Sequence, residues 1–165
     1  PTTSTTAQIA MGDALAVSLM QQRGFTSVDF ARLHPGGSLG RRLLMTVGNV
    51  MRDHDLPVVS PDCSVVEMIH TISKGGLGLI VVCEGDRIEG IVTDGDVRRA
   101  MERLKADFFN IRARDIATPH PKTIGAGEKL IEAERVMTRN KITSLLVTGD
   151  DGRLTGVIQI YDIKL

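Results

Sequence analysis

The chain has 165 residues, 42% of them hydrophobic, and is therefore long enough to bury a core as one domain or as two small ones. Its 20 Lys and Arg residues balance 20 Asp and Glu residues, which excludes the basic field that draws proteins to a nucleic acid backbone. The longest apolar runs, such as LIVV at 79–82, are far shorter than the ~20 residues that cross a bilayer, so the sequence predicts no membrane segment.

The first part of the chain has the pattern of a helix. In AQIAMGDALAVSLMQQRG (7–24), apolar residues recur at helical spacing, and Gly24 acts as a stop signal. The hydroxyl-rich PTTSTT at 1–6 precedes this segment, and Thr5 or Thr6 is the predicted N-cap.

Two shorter helices are predicted next. One begins near Thr26 or Ser27, and the other lies within SLGRRLLM at 38–45. The tetrapeptide HPGG at 34–37 separates them, because a proline and paired glycines interrupt a continuous helix.

From about Val47 onwards the sequence repeats itself. GIV at 90–92 matches GVI at 156–158 at an offset of 66 residues, whereas the residues upstream of the turn match at an offset of 65. The one-residue difference falls where CEGDR (83–87) faces the longer TGDDGR (148–153). A hairpin turn readily absorbs such an insertion, so each copy is predicted to contain a hairpin there.

Each copy predicts the same order of elements. A short strand and a helix are followed by two strands joined by a turn, and a second helix begins at Asp96 or Asp162. Two copies of one unit, each with an apolar face, bury those faces against each other and form an α/β pair with pseudo-twofold symmetry. Phe108 and Phe109, between the copies, are expected to pack at the junction.

The two cysteines, Cys63 and Cys83, fit neither a disulfide framework nor a CxxC motif. This usage predicts a reducing, cytoplasmic location. The chain opens without Met and without a charged-then-apolar signal segment, so we interpret it as a piece of a longer protein.

The repeat resembles a tandem pair of CBS domains, the regulatory modules named after cystathionine β-synthase. The resemblance covers about residues 47–165 and rests on KGGLGLIVV (74–82) and NKITSLLVT (140–148), each followed by a turn and by the G-h-h-T/S-x-x-D pattern, where h is apolar; the second copy keeps the Gly, the apolar pair and the Asp of that pattern. It implies β-α-β-β-α repeats, predicted at 47–105 and 106–165, and a sensing role in which nucleotides are among the ligands of the family.

Residues 1–46 are similar to the end of the sugar-isomerase (SIS) domain of D-arabinose-5-phosphate isomerases, which carry a CBS pair behind that domain. The similarity rests on the segments 1–25 and DFARLHPGGSLGRRLL at 29–44. It implies a parent enzyme that interconverts D-ribulose 5-phosphate and D-arabinose 5-phosphate. The product feeds the synthesis of Kdo, the acid sugar of lipopolysaccharide and capsule.

His34, in HPGG, matches a histidine of that family, and the resemblance implies a catalytic role. Imidazole titrates near neutral pH and moves a proton between adjacent carbons or helps to open a sugar ring. On the residues alone, the alternative is a turn with His34 as a surface or capping residue. A lone histidine without its surrounding site cannot position a reaction, so we predict that this chain alone is inactive.

The segment GIVTDGD (90–96) predicts a ligand site at the end of a buried strand. Thr93 supplies a hydroxyl, Asp96 a carboxylate for ribose hydroxyls, and Arg98 and Arg99, in the first helical turn, charge for a phosphate. The alternative is that Asp96 is an ordinary N-cap and that both arginines lie on a solvated face.

The second copy matches this segment only in part. Asp162 falls on Asp96 and is kept as a ligand candidate, but Gln159 replaces Thr93 and removes the small hydroxyl. Thr143 is expected to contribute to the site of the first copy. The first copy is therefore the predicted sensing half.

Three functions remain open. A regulator must bind two states of its enzyme differently, and a pathway end product, CMP-Kdo, is the first candidate effector, with AMP or ATP as alternatives. The second hypothesis is a scaffold that binds nothing and joins subunits as a dimer of CBS pairs within a tetrameric parent. The third is an autonomous enzyme that uses His34, although nothing else completes its site.

No metal or cofactor is predicted. The remaining histidines, His54, His70 and His120, have no partner at metal-ligand spacing and are interpreted as structural or exposed.

Overall fold

The computed structural model describes residues 2–34 and 36–164, so Pro1, Pro35 and Leu165 lie outside the described residues. The chain divides after Met45 into two compact units. The first unit contains α1 (Thr3–Gln22), α2 (Ser27–Leu33) and α3 (Ser38–Leu44). The second contains, in chain order, β1 (Val58–Val59), α4 (Val65–Gly75), β2 (Leu79–Glu84), β3 (Arg87–Thr93), α5 (Asp94–Leu104), α6 (Ala113–Ile116), β4 (Thr118–Pro119), β5 (Thr123–Gly125), α7 (Leu130–Asn140), β6 (Ser144–Thr148), β7 (Leu154–Gln159) and α8 (Ile160–Lys164).

The first unit begins its long helix earlier than predicted. The N-cap of α1 is Thr2, and the amide of Thr6 already donates to the Thr2 carbonyl at 3.1 Å, so Thr5 and Thr6 lie inside the helix and their predicted capping role is wrong. Residues of the hydroxyl-rich start bond to one another within the first turn and are compatible with helix there. Helix α2 begins at Ser27, as predicted, and Thr26 caps it in a reciprocal motif with Asp29.

None of the helices in the described part of the chain is both long and apolar enough to span a membrane.

The first helix of each repeat buries one apolar stripe. In α4 the buried side chains are Val65, Met68 and Ile72, and in α7 the positions 65 residues later, Leu130, Ala133 and Met137, are buried in the same way. This spacing places all three residues of each helix on one face. The first helix predicted in each repeat is therefore present, and its buried face is the one that the spacing of apolar residues indicates.

Two sheets carry the strands. In the first, β1 is parallel to β2, and β2, β3 and β4 follow in antiparallel order; in the second, β5 is parallel to β6, which is antiparallel to β7. The register shifts at Val82/Cys83 in β2 and at Val147/Thr148 in β6, which are equivalent positions. The extra residue of the second repeat lies in the following turn, as the change of offset predicted.

The first segment of each repeat pairs with the other repeat. Strand β4 lies near the start of the second repeat, yet it pairs with β3 of the first sheet. At the equivalent place near the start of the first repeat, Arg52 forms a two-way backbone bridge with Val157 of β7. The two repeats therefore exchange edge segments and form one interlocked unit.

The two sheets meet through a shared apolar core. Alternate residues of β2 face opposite sides, so Ile80 and Val82 pack against the helices of the first repeat. The residues between them pack with the second repeat in a cluster of Leu79, Val81, Cys83, Leu146 and Val157. The predicted burial of one repeat against the other is confirmed, and burial on both faces explains the unbroken apolar run of this strand.

The two phenylalanines between the repeats differ in burial. Phe108 is buried in the core of the first repeat, whereas Phe109 is 69% exposed and only contacts the Phe108 ring edge-on at 5.3 Å. The prediction that both pack at the junction is therefore right for Phe108 and wrong for Phe109. Both belong to a short 3-10 helix, Lys105–Asn110, which turns successive side chains to different sides.

Both cysteines are free and buried, so we expect them to react slowly in the folded chain. Burial, together with the neighbouring Glu67, raises the pKa of Cys63 to about 11, and burial also raises the pKa of Cys83. At pH 8 this leaves roughly 100-fold less thiolate at Cys63 than in the unfolded chain. Labelling with a disulfide reagent, with and without denaturant, measures the difference; equal rates would contradict it.

Candidate ligand-binding cleft between the two repeats

Helix α5 begins two residues before the predicted start. Thr93 is its N-cap, and Asp96 occupies the third helical position. The amide and hydroxyl of Thr93 donate to Asp96 Oδ2 at 2.9 and 2.6 Å, and the Asp96 amide donates back to Thr93 Oγ1 at 3.2 Å. The prediction that Asp96 starts the helix is wrong because this capping box uses the threonine hydroxyl at the cap and the carboxylate one turn later.

Both carboxylate oxygens of Asp96 have donors. Oδ1 accepts a hydrogen bond from Arg99 at 2.6 Å, and the Asp96 side chain is only 16% exposed. Burial raises the pKa of Asp96, but the hydrogen bonds from Thr93 and Arg99 together outweigh burial and hold that pKa below its ordinary value. Asp96 is therefore an ionised acceptor that fixes the position of Thr93.

The arginines of α5 are placed differently from the prediction. Because the helix begins at Asp94, Arg98 and Arg99 lie in its second turn, where both are exposed and Arg99 is bonded to Asp96. Two amides of the first turn also have acceptors, since that of Asp94 donates to the Gly78 carbonyl at 3.0 Å and that of Asp96 to Thr93.

The second copy keeps the acidic half of this motif. The amide of Gln159 donates to Asp162 Oδ2 at 2.7 Å, as the amide of Thr93 does to Asp96. Asp162 is the third residue of α8, and its hydrogen bond to the Gln159 amide is the one expected of a residue at that position. Asp162 and Asp96 therefore accept equivalent backbone hydrogen bonds, as their match in the repeat predicted.

A cleft of about 430 Å³ lies between the repeats, at the end of β3 where α5 begins. This volume is in the range of pockets that hold small molecules. Thr93 and Thr143 both line it, so the structure brings these two predicted residues together from different repeats. The other predicted candidates of the pair, Asp96, Arg98, Arg99 and Asp162, are not among its lining residues.

The lining of the cleft combines three kinds of group. Apolar side chains form part of its wall: Leu77, Leu79, Ile91, Ile142 and Leu146. Hydroxyl groups come from Thr93, Thr118, Thr143 and Ser144. The nitrogen-bearing side chains are those of Lys122, Lys141 and His120. Such a surface can enclose a flat apolar ring, hydrogen-bond to hydroxyls and attract an anion.

The nitrogen-bearing residues were missed in the sequence. Lys141 has φ 55° and His120 has φ 51°, so both adopt the left-handed conformation that side chains disfavour. Lys141 takes the C-cap position of α7, where the first repeat has Gly76 with φ 68°. A lysine at the position where the first repeat has glycine is visible when the repeats are aligned, and it is the signal that could have identified Lys141.

His34 lies in the first unit. It is the C-cap of α2, it is exposed, and its ring contacts that of Phe30 with the centroids 4.7 Å apart and the ring planes tilted by 42°. The described residues contain no group of three or more His, Cys, Asp or Glu side chains that converge as metal ligands.

A second cleft, of about 450 Å³, lies between the hairpin turns of the two repeats. Its charged groups are already paired, because Arg153 bridges Asp86 at 3.2 Å and Asp151 at 3.4 Å. Exposed turns and paired charges make a poorer ligand site than the cleft at Thr93, which has apolar walls and several hydroxyls.

The sequence comparisons identify both the module and its relatives. The CBS domain family matches residues 47–103 and 113–164. The chain is 44% identical over 163 residues to arabinose 5-phosphate isomerase KpsF of Escherichia coli O6:H1, an alignment that covers 98% of this chain and 49% of that protein. The chain thus spans about half the length of the curated relatives it matches.

The structural comparisons agree on the fold. CBSX2 of Arabidopsis thaliana, solved in complex with AMP, is similar with a TM-score of 0.62 at 24% identity, over 72% of this chain and 92% of that one. A CBS domain pair solved with 5′-methylthioadenosine and S-adenosyl-L-methionine has a TM-score of 0.65 at 19% identity, over 72% and 92%. With the family match over both repeats, these findings show that the chain belongs to the CBS domain family and carries two CBS domains in tandem.

Proposed function

We propose that this chain is the regulatory part of an arabinose 5-phosphate isomerase and that the cleft at Thr93 binds a nucleotide effector. The observation that supports this most directly is the lining of the cleft, which combines apolar residues with four hydroxyl-bearing residues and two lysines. The relatives named arabinose 5-phosphate isomerase extend over nearly the whole chain, which supports the choice of parent enzyme.

Each part of a nucleotide has a counterpart in the cleft. Ile91, Ile142 and Leu146 offer apolar contact to a base, and the hydroxyls of Thr93 and Thr143 suit the ribose. Lys122 and Lys141 suit the phosphate, because a charge-assisted hydrogen bond is about twice as strong as a neutral one. AMP is the ligand named for CBSX2, and an adenine nucleotide is one effector class that we propose.

CMP-Kdo is the effector that we propose first, since it is the end product of the implied pathway and also contains ribose and phosphate. In this assignment Thr93 and Thr143 contact the ligand directly. The predicted ribose contact of Asp96 and the phosphate contacts of Arg98 and Arg99 remain predictions. Asp162 is proposed as a capping residue for α8 on the same grounds as Asp96.

A thermal-shift panel of AMP, ATP, CMP, CMP-Kdo and S-adenosylmethionine tests the proposal. We expect one class of nucleotide to raise Tm, because a ligand that binds only the folded chain stabilises it. Lys122→Ala and Lys141→Ala should each weaken binding about tenfold or more, whereas Lys74→Ala, an exposed lysine on α4, should leave it unchanged. No shift with any member of the panel would contradict nucleotide sensing.

A subunit scaffold is the second candidate, and exposed apolar residues on the CBS helices favour it. Val66 and Ile69 on α4 are 69% and 41% exposed, and Met101 on α5 is 51% exposed. Such residues suit a contact between CBS pairs, as in a dimer of pairs within a tetramer. Sedimentation of the chain at several concentrations decides this point, and a strictly monomeric chain would contradict it.

The first unit is proposed as the end of the sugar-isomerase domain, at 1–46, followed by CBS domains at 47–105 and 106–165. None of the residues of α1 is buried, and apolar side chains such as Ile9, Met11 and Leu15 are 63% to 74% exposed. A helix with so much apolar surface normally packs within a larger domain. We therefore propose that His34 acts only in the intact enzyme, in the cytoplasm, and that this chain alone has no isomerase activity.

A further inference from the structure

The pseudo-twofold relation between the repeats generates a second position equivalent to the cleft at Thr93. Gln159 there takes the place of Thr93, and Val157 takes the place of Ile91. Both are at the end of β7, beside the start of α8, just as Ile91 and Thr93 are at the end of β3 beside α5. We call this position the mate cleft.

The side chain of Gln159 bridges the two repeats at this position. Its Nε2 atom donates to the carbonyl oxygen of Leu77 at 3.0 Å and to the hydroxyl of Ser144 at 3.0 Å. Leu77 belongs to the first repeat and Ser144 to the second, and both also line the open cleft, so one amide group joins the two halves where the two positions adjoin. In the first copy the short Thr93 side chain turns back to Asp96 and leaves the cleft open.

The residue equivalent to Ile91 is fully buried in the second repeat. Val157 has 0% exposure and lies in the core between the sheets, whereas Ile91 is half-buried and lines the open cleft. A ligand that entered the mate cleft would have to break both hydrogen bonds of Gln159. The Leu77 carbonyl would then lose a donor in a partly buried place, which opposes binding.

We propose that Gln159 closes the mate cleft and thereby limits this CBS pair to one nucleotide site per chain. The inference rests on the proposed nucleotide function of the open cleft. According to this proposal, the side chain of Gln159 causes the difference between the open cleft and the mate cleft. Threonine at 159 fits the local structure, because Asp162 already accepts the Gln159 amide and can accept a threonine hydroxyl as Asp96 does.

Site counting with AMP tests the proposal on the full chain by isothermal titration calorimetry. We expect about one site for the wild type, two for Gln159→Thr, none for Thr93→Gln, and one again for the double exchange. A folded Gln159→Thr chain that still binds a single AMP would overturn the inference, as would an unchanged site number in Thr93→Gln.

A labelling experiment tests the closure without any nucleotide. We expect Val157→Cys to be protected from a thiol reagent and to react at least tenfold faster when combined with Gln159→Thr. Ile91→Cys serves as the matched control, since it should react readily and be slowed by Thr93→Gln. Mass spectrometry separates the added cysteine from the native, buried pair.

The two experiments separate two kinds of failure. If the wild type binds no AMP, but Gln159→Thr makes the cysteine of Val157→Cys react faster, the closure stands and the adenine-nucleotide function fails. If Gln159→Thr leaves the labelling of Val157→Cys unchanged, the closure by Gln159 is refuted, whatever the wild type binds.

Discussion

Replacement of Gly90 or Gly156 by alanine should lower the free energy of unfolding by about 1–3 kcal/mol, although alanine is otherwise the better residue for a folded chain. A Cβ atom at Gly90 would lie 2.8 Å from the Thr118 carbonyl oxygen. At Gly156 it would lie 2.8 Å from Met51 Sδ and 2.9 Å from the Arg52 carbonyl oxygen. These distances are shorter than real carbon contacts, so something has to move.

The neighbours cannot move freely, because they belong to the exchanged edge segments. Gly90 pairs with Pro119 of β4, and Arg52 is bridged to Val157, next to Gly156. Room for a methyl group is gained only by separation of a segment of one repeat from the sheet of the other. The pair of glycines matched in the sequence repeat is thus explained by close backbone approach.

Urea unfolding followed by circular dichroism measures this effect. Gly127→Ala is the matched control, because a Cβ atom there meets nothing within 4 Å, and its free energy of unfolding should change by no more than about 0.5 kcal/mol. Equal stability of Gly90→Ala and Gly127→Ala would show that the edge segment yields easily.

Replacement of Asp96 by alanine should lower the free energy of unfolding at pH 7 by about 1–3 kcal/mol. The change removes the acceptor for the amide and the hydroxyl of Thr93 and for Arg99. Glu102→Ala, an exposed change on the same helix, is the control and should have little effect.

The effect of Asp96 should depend on pH in a defined direction. The folded pKa of Asp96 is held below its unfolded value, so its contribution is complete above about pH 4 and is lost as the pH falls through the folded value. The stability gap between the wild type and Asp96→Ala should therefore narrow in acid. A gap that stays constant from pH 7 to about pH 3 would contradict the charged capping role.

The same variant separates the two roles considered for Asp96. A nucleotide-induced rise in Tm that survives in Asp96→Ala assigns the residue to the helix cap alone. A rise that disappears, while the folded chain persists, supports the ribose contact predicted from the sequence. The bonds to Thr93 and Arg99 occupy both carboxylate oxygens in the absence of ligand, which favours the first result.

Local sequence patterns were sufficient for the order of elements shared by the two repeats and for the duplication. The spacing of Val65, Met68 and Ile72 defines a helix face, and its recurrence 65 residues later defines the second repeat. Thr93 and Thr143 were identified as site residues from the repeat pattern and its resemblance to CBS domains; Thr93 ends β3 and Thr143 directly precedes β6. Burial periodicity and chain order are properties of neighbouring residues, and a sequence displays them directly.

Convergence of distant residues was decided only by the tertiary structure. Lys122 and Lys141 reach the cleft because the segment before β5 and the end of α7 meet the first repeat there, and no local pattern encodes that meeting. Gln159 bonds to Leu77 across 82 positions of the chain. The exact cap of α5 also depended on side-chain hydrogen bonds between Thr93 and Asp96. The sequence alone thus determined the fold class, the repeat and part of the site, whereas the open and closed clefts follow from contacts that exist only once the two repeats have packed.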